Sequence, residues 1–142
     1  MTELIGQSLG SYQLEALLAA GPTGHLYSSR HVRLGRPAAI KLFAPDLVGR
    51  PGVRPRLLAA LRDVAMLRHA HIAALYDVGD EEERLFVASE LLAGGSLRAL
   101  LHPAVRESVP LATRLELVAQ AADGLAAAHA AGVGHGAVKP ES

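Results

Sequence analysis

The sequence predicts an α+β fold, a five-stranded antiparallel lobe carrying one helix and leading into a helical region. Three patterns point there. Apolar residues alternate on both sides of a glycine turn, with Tyr12, Leu14, Ala16 and Leu18 on one face of a strand that reverses over residues 20–24 and resumes at Leu26. Two further apolar runs, residues 72–78 and 85–91, flank the charged stretch 79–83 as the arms of a hairpin flank its tip. Between these strand pairs, Leu57, Leu61, Val64 and Leu67 recur at spacings of four and three, the period of one inward helix face.

Residues 1–10 form a short lead-in to the first strand. In the turn, Gly21 and Gly24 are expected to take backbone angles that other residues avoid and to leave their N–H groups open to an anion. In the strand that follows, Ala39 and Lys41 lie two apart and therefore share a face, which sets a small side chain beside an ammonium. A flat ring fits over the first and a phosphate can meet the second. Residues 44–46 and 49–52 are rich in breakers and read as a loop, after which a helix starts near Pro55 and ends around residues 68–69. Ser96 is placed to cap a short helix through Leu101. A longer helix follows Pro110, with Leu111, Leu115, Val118, Ala122 and Leu125 in helical register and Gly132 placed to stop it. Its other faces are largely alanine from Ala121 onward, so it expects cover on several sides.

Composition removes several classes of function. Fourteen basic and fourteen acidic residues in 142 give a formal charge of zero, which offers no electrostatic basis for binding nucleic acid or an anionic membrane. Arg50, Arg54, Arg56, Arg62 and Arg68 cluster around the first helix and read as a solvated face. With no cysteine there are no disulfides and no thiolate chemistry, as expected of a cytoplasmic chain. The most apolar stretch, residues 124–138, is interrupted by His129 and His135, so no membrane segment is expected here. No metal site is expected, because His69 and His71 lack a cysteine or nearby carboxylate to complete a set. Gly95-Ser96-Leu97 lacks the second glycine of a nucleophile elbow.

Residues 17–27, together with Ala38-Ala39-Ile40-Lys41, resemble the glycine-rich loop and third-strand lysine of the protein kinases, especially the bacterial serine/threonine kinases. Gly21 and Gly24 match the second and third loop glycines, while Ala19 stands at the first. The resemblance implies that Leu18, Leu26 and Ala39 roof an adenine, that Gly21, Gly24 and Lys41 meet its phosphates, and that Ser89 is the gatekeeper. The backbone from Glu90 to Leu92 would meet the adenine edge. It further implies a single partial kinase-like domain, with a small lobe over about residues 10–92 and the start of the larger lobe over 93–142. Residues 135–142, HGAVKPES, resemble the catalytic loop HRDLKPEN. Lys139, Pro140 and Glu141 match it, but Ala137 replaces the aspartate that takes the attacking hydroxyl's proton, and Ser142 replaces the asparagine that ligates magnesium. Gly136 replaces the arginine. On the first helix, the position of the glutamate that partners the lysine is Ala60, with Asp63 one turn away.

A chain that lacks the base, a metal ligand and the lysine's partner loses most of what a protein contributes to phosphoryl transfer. The resemblance therefore implies a catalytically inactive pseudokinase or truncated kinase, in which Lys139 survives without its base. ATP is the expected ligand, weakly held; magnesium is poorly served and no residue is assigned as its ligand. A protein partner or self-association is expected to carry the function. The alternative is the N-terminal part of an active ATP-dependent serine/threonine kinase.

Overall fold

A computed structural model of the chain describes residues 4–81 and 83–133. These fall into two compact units, one built from residues up to Met66 together with 73–91, the other from 67–72 and the residues from Leu92 onward.

The first unit is an antiparallel sheet. Its strands are β1 (Ser8–Leu9), β2 (Tyr12–Gly21), β3 (Gly24–His31), β4 (Pro37–Phe43), β5 (Leu75–Glu81) and β6 (Arg84–Ser89), in the order β1-β2-β3-β4-β6-β5. The five expected strands are present. A sixth, β1, adds two residues to the edge through Ser8 opposite Gln13 and Leu9 opposite Tyr12. The expected β5 arm shifts along the chain, since pairing begins at Leu75 and continues through Asp80 and Glu81 to a tight reversal at Glu83.

The two faces of the sheet differ in kind. Tyr12, Leu14, Tyr27, Ala38, Ile40, Phe86 and Ala88 form a buried cluster with Leu17 and Leu42 packed against it. The alternation expected along β2 holds at Tyr12 and Leu14 and then fails. Bulges between Leu14 and Ala16 and between Leu17 and Ala19 each insert a residue, so Leu17 opposite Tyr27 takes the inward position, while Ala16 and Leu18 are exposed. Ser29, fully buried, donates its hydroxyl to the Ala38 carbonyl at 2.9 Å. Phe86 lies flat over Gly79, its cross-strand partner; a β-carbon at Gly79 would come within 2.1 Å of the ring.

Two helices belong to this unit. The breaker-rich loop contains a short one, α1 (Pro45–Val48), because Pro45 suits a first helical turn and Val48 is buried. Next comes α2 (Val53–Ala65), which begins two residues ahead of Pro55 after Gly52 in the left-handed region. Leu57, Leu61 and Val64 are half-buried, as their spacing predicts, with Leu58 half-buried beside them, but the helix ends before Leu67. Arg54 is not solvated with its neighbours: it forms an ion pair with Asp80 and donates to the Glu83 carbonyl at 3.3 Å, which ties α2 to the charged hairpin tip. The Asp80 contact raises the Arg54 pKa. At that same tip, Glu81 accepts the Gly10 N–H at 2.7 Å.

The second unit holds α3 (Leu97–Leu100), a 3-10 turn at Arg106–Ser108, and α4 (Leu111–Ala130). Ser96 occupies the cap position of α3 without a side-chain cap bond. Gly132, in the left-handed region, follows the end of α4 as its sequence position predicts. The segment 67–72 packs on this helix. His69 Nδ1 accepts the His71 N–H at 3.0 Å, which leaves the proton on Nε2 to face Asp123 at 3.4 Å. Gly124 is buried against the His71 carbonyl, 2.7 Å from where a β-carbon would stand. Leu111, Leu115 and Val118 are on an exposed face, so the stripe expected from spacing is inward only at its far end, where Leu125 is half-buried.

Candidate nucleotide site

The sheet face opposite the core carries the residues expected to meet a nucleotide. Leu26 pairs with Lys41 and Lys41 with Val87; one step further along, Ser28 pairs with Ala39 and Ala39 with Ser89. Directly opposed residues share a side of the sheet, as do residues two apart, so Leu26, Ala39, Lys41 and Ser89 lie together. Ala39 is small and buried, so no long side chain stands beside the ammonium at that position. Leu18 falls in the irregular step of β2 and is 50% exposed.

The turn that bounds this face is tight. Only Pro22 and Thr23 lie between β2 and β3. Gly24 has φ +143°, and a β-carbon there would stand 2.0 Å from the Leu42 carbonyl oxygen, so the turn touches the end of β4 because this residue has no side chain. Gly21 departs from expectation. It closes β2 outside the left-handed region, and a β-carbon there would meet nothing within 4 Å.

Lys41 is where the arrangement differs most from what the family resemblance implies. Its Nζ donates to Thr23 Oγ1 at 3.0 Å. Among the described residues no carboxylate lies within ion-pair distance of it. Ala60 on α2 is exposed and carries only a methyl group, and Asp63, one turn on, is exposed as well. Partial burial without a counter-charge pushes the Lys41 pKa down.

Beyond β6, the Glu90 N–H donates to the Ala74 carbonyl at 2.8 Å, and the Glu90 carboxylate accepts the Ala74 N–H at 3.2 Å. The N–H of Glu90 is thus committed to the sheet edge, which leaves its carbonyl as the group that can meet a ligand's amine. Leu92 belongs to the second unit and is exposed. Gly136, Ala137, Lys139 and Ser142 lie outside the described residues. Among those described, no three metal-ligating side chains cluster, and no helix is long and apolar enough to cross a membrane.

Thr23 is the site residue that sequence reasoning missed. Its signal was a hydroxyl next to the last glycine of the turn in a chain whose lysine had lost its carboxylate.

No protein-family model matches the chain. Over 140 residues it is 36% identical to the serine/threonine-protein kinase PknD of Mycobacterium tuberculosis, covering 97% of this chain and 20% of that protein. It is 32% identical over 135 residues to CBL-interacting protein kinase 4 of Oryza sativa subsp. japonica, covering 94% of this chain and 30% of the relative. Among solved structures, the PknI kinase domain of M. tuberculosis superposes with a TM-score of 0.80 at 26% identity, covering 96% of this chain and 55% of that one. The chain thus spans less than a third of these two curated relatives and about half of the solved kinase domain.

Proposed function

This chain is homologous to the serine/threonine protein kinases over nearly its whole length, and on that premise we propose that it is a pseudokinase, a kinase-fold domain that holds ATP weakly, transfers no phosphoryl group and acts through binding. The observation that carries this reading is the partner of Lys41. An active kinase restrains this lysine with a helix carboxylate so that its charge meets the α- and β-phosphates. Here the helix offers Ala60, and the ammonium rests on a turn hydroxyl instead.

The remaining groups support a nucleotide without supporting transfer. Leu18, Leu26 and Ala39 supply apolar surface for an adenine, the Glu90 carbonyl an acceptor for its amine, and Gly21, Gly24 and Lys41 the phosphate contacts. Ala137 has no group to take a hydroxyl proton, and Ser142 offers a shorter, poorer oxygen for magnesium, so the chain's own residues bind and orient but move no proton. Lys139 then has no base to assist. Transfer from labelled ATP, measured as autophosphorylation and on a generic acceptor protein, is expected to equal that of Lys41→Ala; transfer clearly above that variant refutes the proposal.

The binding half of the reading rests on α4. It exposes Leu111, Leu115 and Val118, and Val118 lines a groove of about 270 Å³ with Leu97, Leu100, Leu101 and Leu117. We assign this face to a second copy of the chain, because a formal charge of zero removes the repulsion that keeps like chains apart.

A further inference from the structure

Two atoms of one residue fasten the glycine turn to the end of β4. Thr23 accepts the Lys41 ammonium on its hydroxyl at 3.0 Å and the Ala44 N–H on its carbonyl at 2.9 Å. Beside it, Gly24 lets the turn close against the Leu42 carbonyl. A carboxylate on a helix would hold the lysine and leave the turn free, whereas a hydroxyl on the turn couples the lysine to the turn's own position.

We propose that Thr23 is a clamp on Lys41: its hydroxyl positions the ammonium in place of the missing helix carboxylate, and a nucleotide phosphate has to displace it. The phosphate half of this proposal rests on the nucleotide reading above; the clamp does not. Leu26 and Val87 are the residues directly opposite Lys41 on the flanking strands, so among the described residues no titratable side chain is paired with it across the sheet. The hydroxyl therefore favours the charged amine against the burial that disfavours it. A phosphate oxygen is the stronger partner for an ammonium, so the exchange runs toward the nucleotide but against the bond already made. Thr23 is a positioning residue in the free chain and a competitor when phosphate arrives.

The test uses the full chain, its Thr23→Val variant, which removes the acceptor at nearly constant shape, and Thr23→Ser, which keeps it. Two readouts are needed: affinity for ATP and for adenosine, and the titration of the Lys41 amine followed by NMR of its labelled ε-carbon. The clamp predicts that Thr23→Val binds ATP about three- to tenfold more tightly, the net strength of one ordinary intramolecular hydrogen bond, with adenosine unchanged. It also predicts that Lys41 titrates at lower pH in Thr23→Val, and that Thr23→Ser matches the parent in both. An unmoved Lys41 titration overturns the proposal, as does weaker ATP binding in Thr23→Val or an equal gain for adenosine. ATP binding by none of the three, with the Lys41 titration still shifted, upholds the clamp and overturns the nucleotide reading.

Discussion

Gly21 and Gly24 match successive family glycines, yet only one of them needs to be glycine in this turn. At Gly24 a methyl group would collide with the backbone of β4 in a conformation that side chains rarely adopt, so Gly24→Ala should cost about 3 kcal/mol or more in urea unfolding. Gly21→Ala should stay within about 0.5 kcal/mol. Motif matching could not separate the two, because the distinction lies in where β4 ends. Lys41 was legible from its strand and its spacing to Ala39; its partner was not, since closure over 18 residues depends on the shape of the turn. The lysine also sets a pH dependence. Its folded pKa is lowered, so within the alkaline window below the ordinary lysine value the unfolded chain binds more protons and stability rises with pH. Burial of Tyr27 raises its pKa and acts in the opposite sense, favouring unfolding as the tyrosine range is passed. Comparison with Lys41→Met isolates the lysine: the parent should gain stability relative to the variant as pH rises through that window, and a constant difference would contradict the assignment.

At the scale of elements, spacing placed nearly every strand and helix, and bulges decided what it could not. A period of two along β2 put Ala16 and Leu18 inward, but two inserted residues gave that position to Leu17. Nothing in the residues themselves marks a bulge, because the extra residue is fixed by pairing with β3. Short helices were missed for a related reason, since Pro45 reads equally as a breaker and as the first residue of α1. The contact between α4 and residues 67–72 yields a prediction at this scale. Alanine is the better helix former by about 1 kcal/mol, yet Gly124→Ala should destabilise by about 1–2 kcal/mol, because its β-carbon would press on the His71 carbonyl. Thermal unfolding of the variant checks the sign. Gly79→Ala should likewise lose stability against the buried Phe86 ring.

For the whole chain, the kinase-like fold was legible because several motifs occur in order at family spacing, and an order of motifs constrains a fold more than any one of them. The proposed association had only an apolar excess on the last helix as its sign in the sequence; which residues stay uncovered required the structure. Leu115, 62% exposed at the middle of that face, is the residue whose change should matter most. Light scattering should find the chain self-associated at high concentration and Leu115→Glu shifted toward the monomer; a parent chain that stays monomeric would count against the second-copy assignment, and a different partner would then have to cover α4.

The central claim is that the cradle still answers to nucleotide while the chemistry is gone. Thermal unfolding of the chain with and without ATP, in magnesium and in EDTA, beside Lys41→Ala, tests it most directly. ATP at about 100 times its dissociation constant should add about 2.7 kcal/mol, a rise of several degrees in Tm, with little dependence on magnesium and none of it in the variant. Identical melting of parent and variant in every arm would contradict the claim and leave Lys41 and its turn a structural remnant.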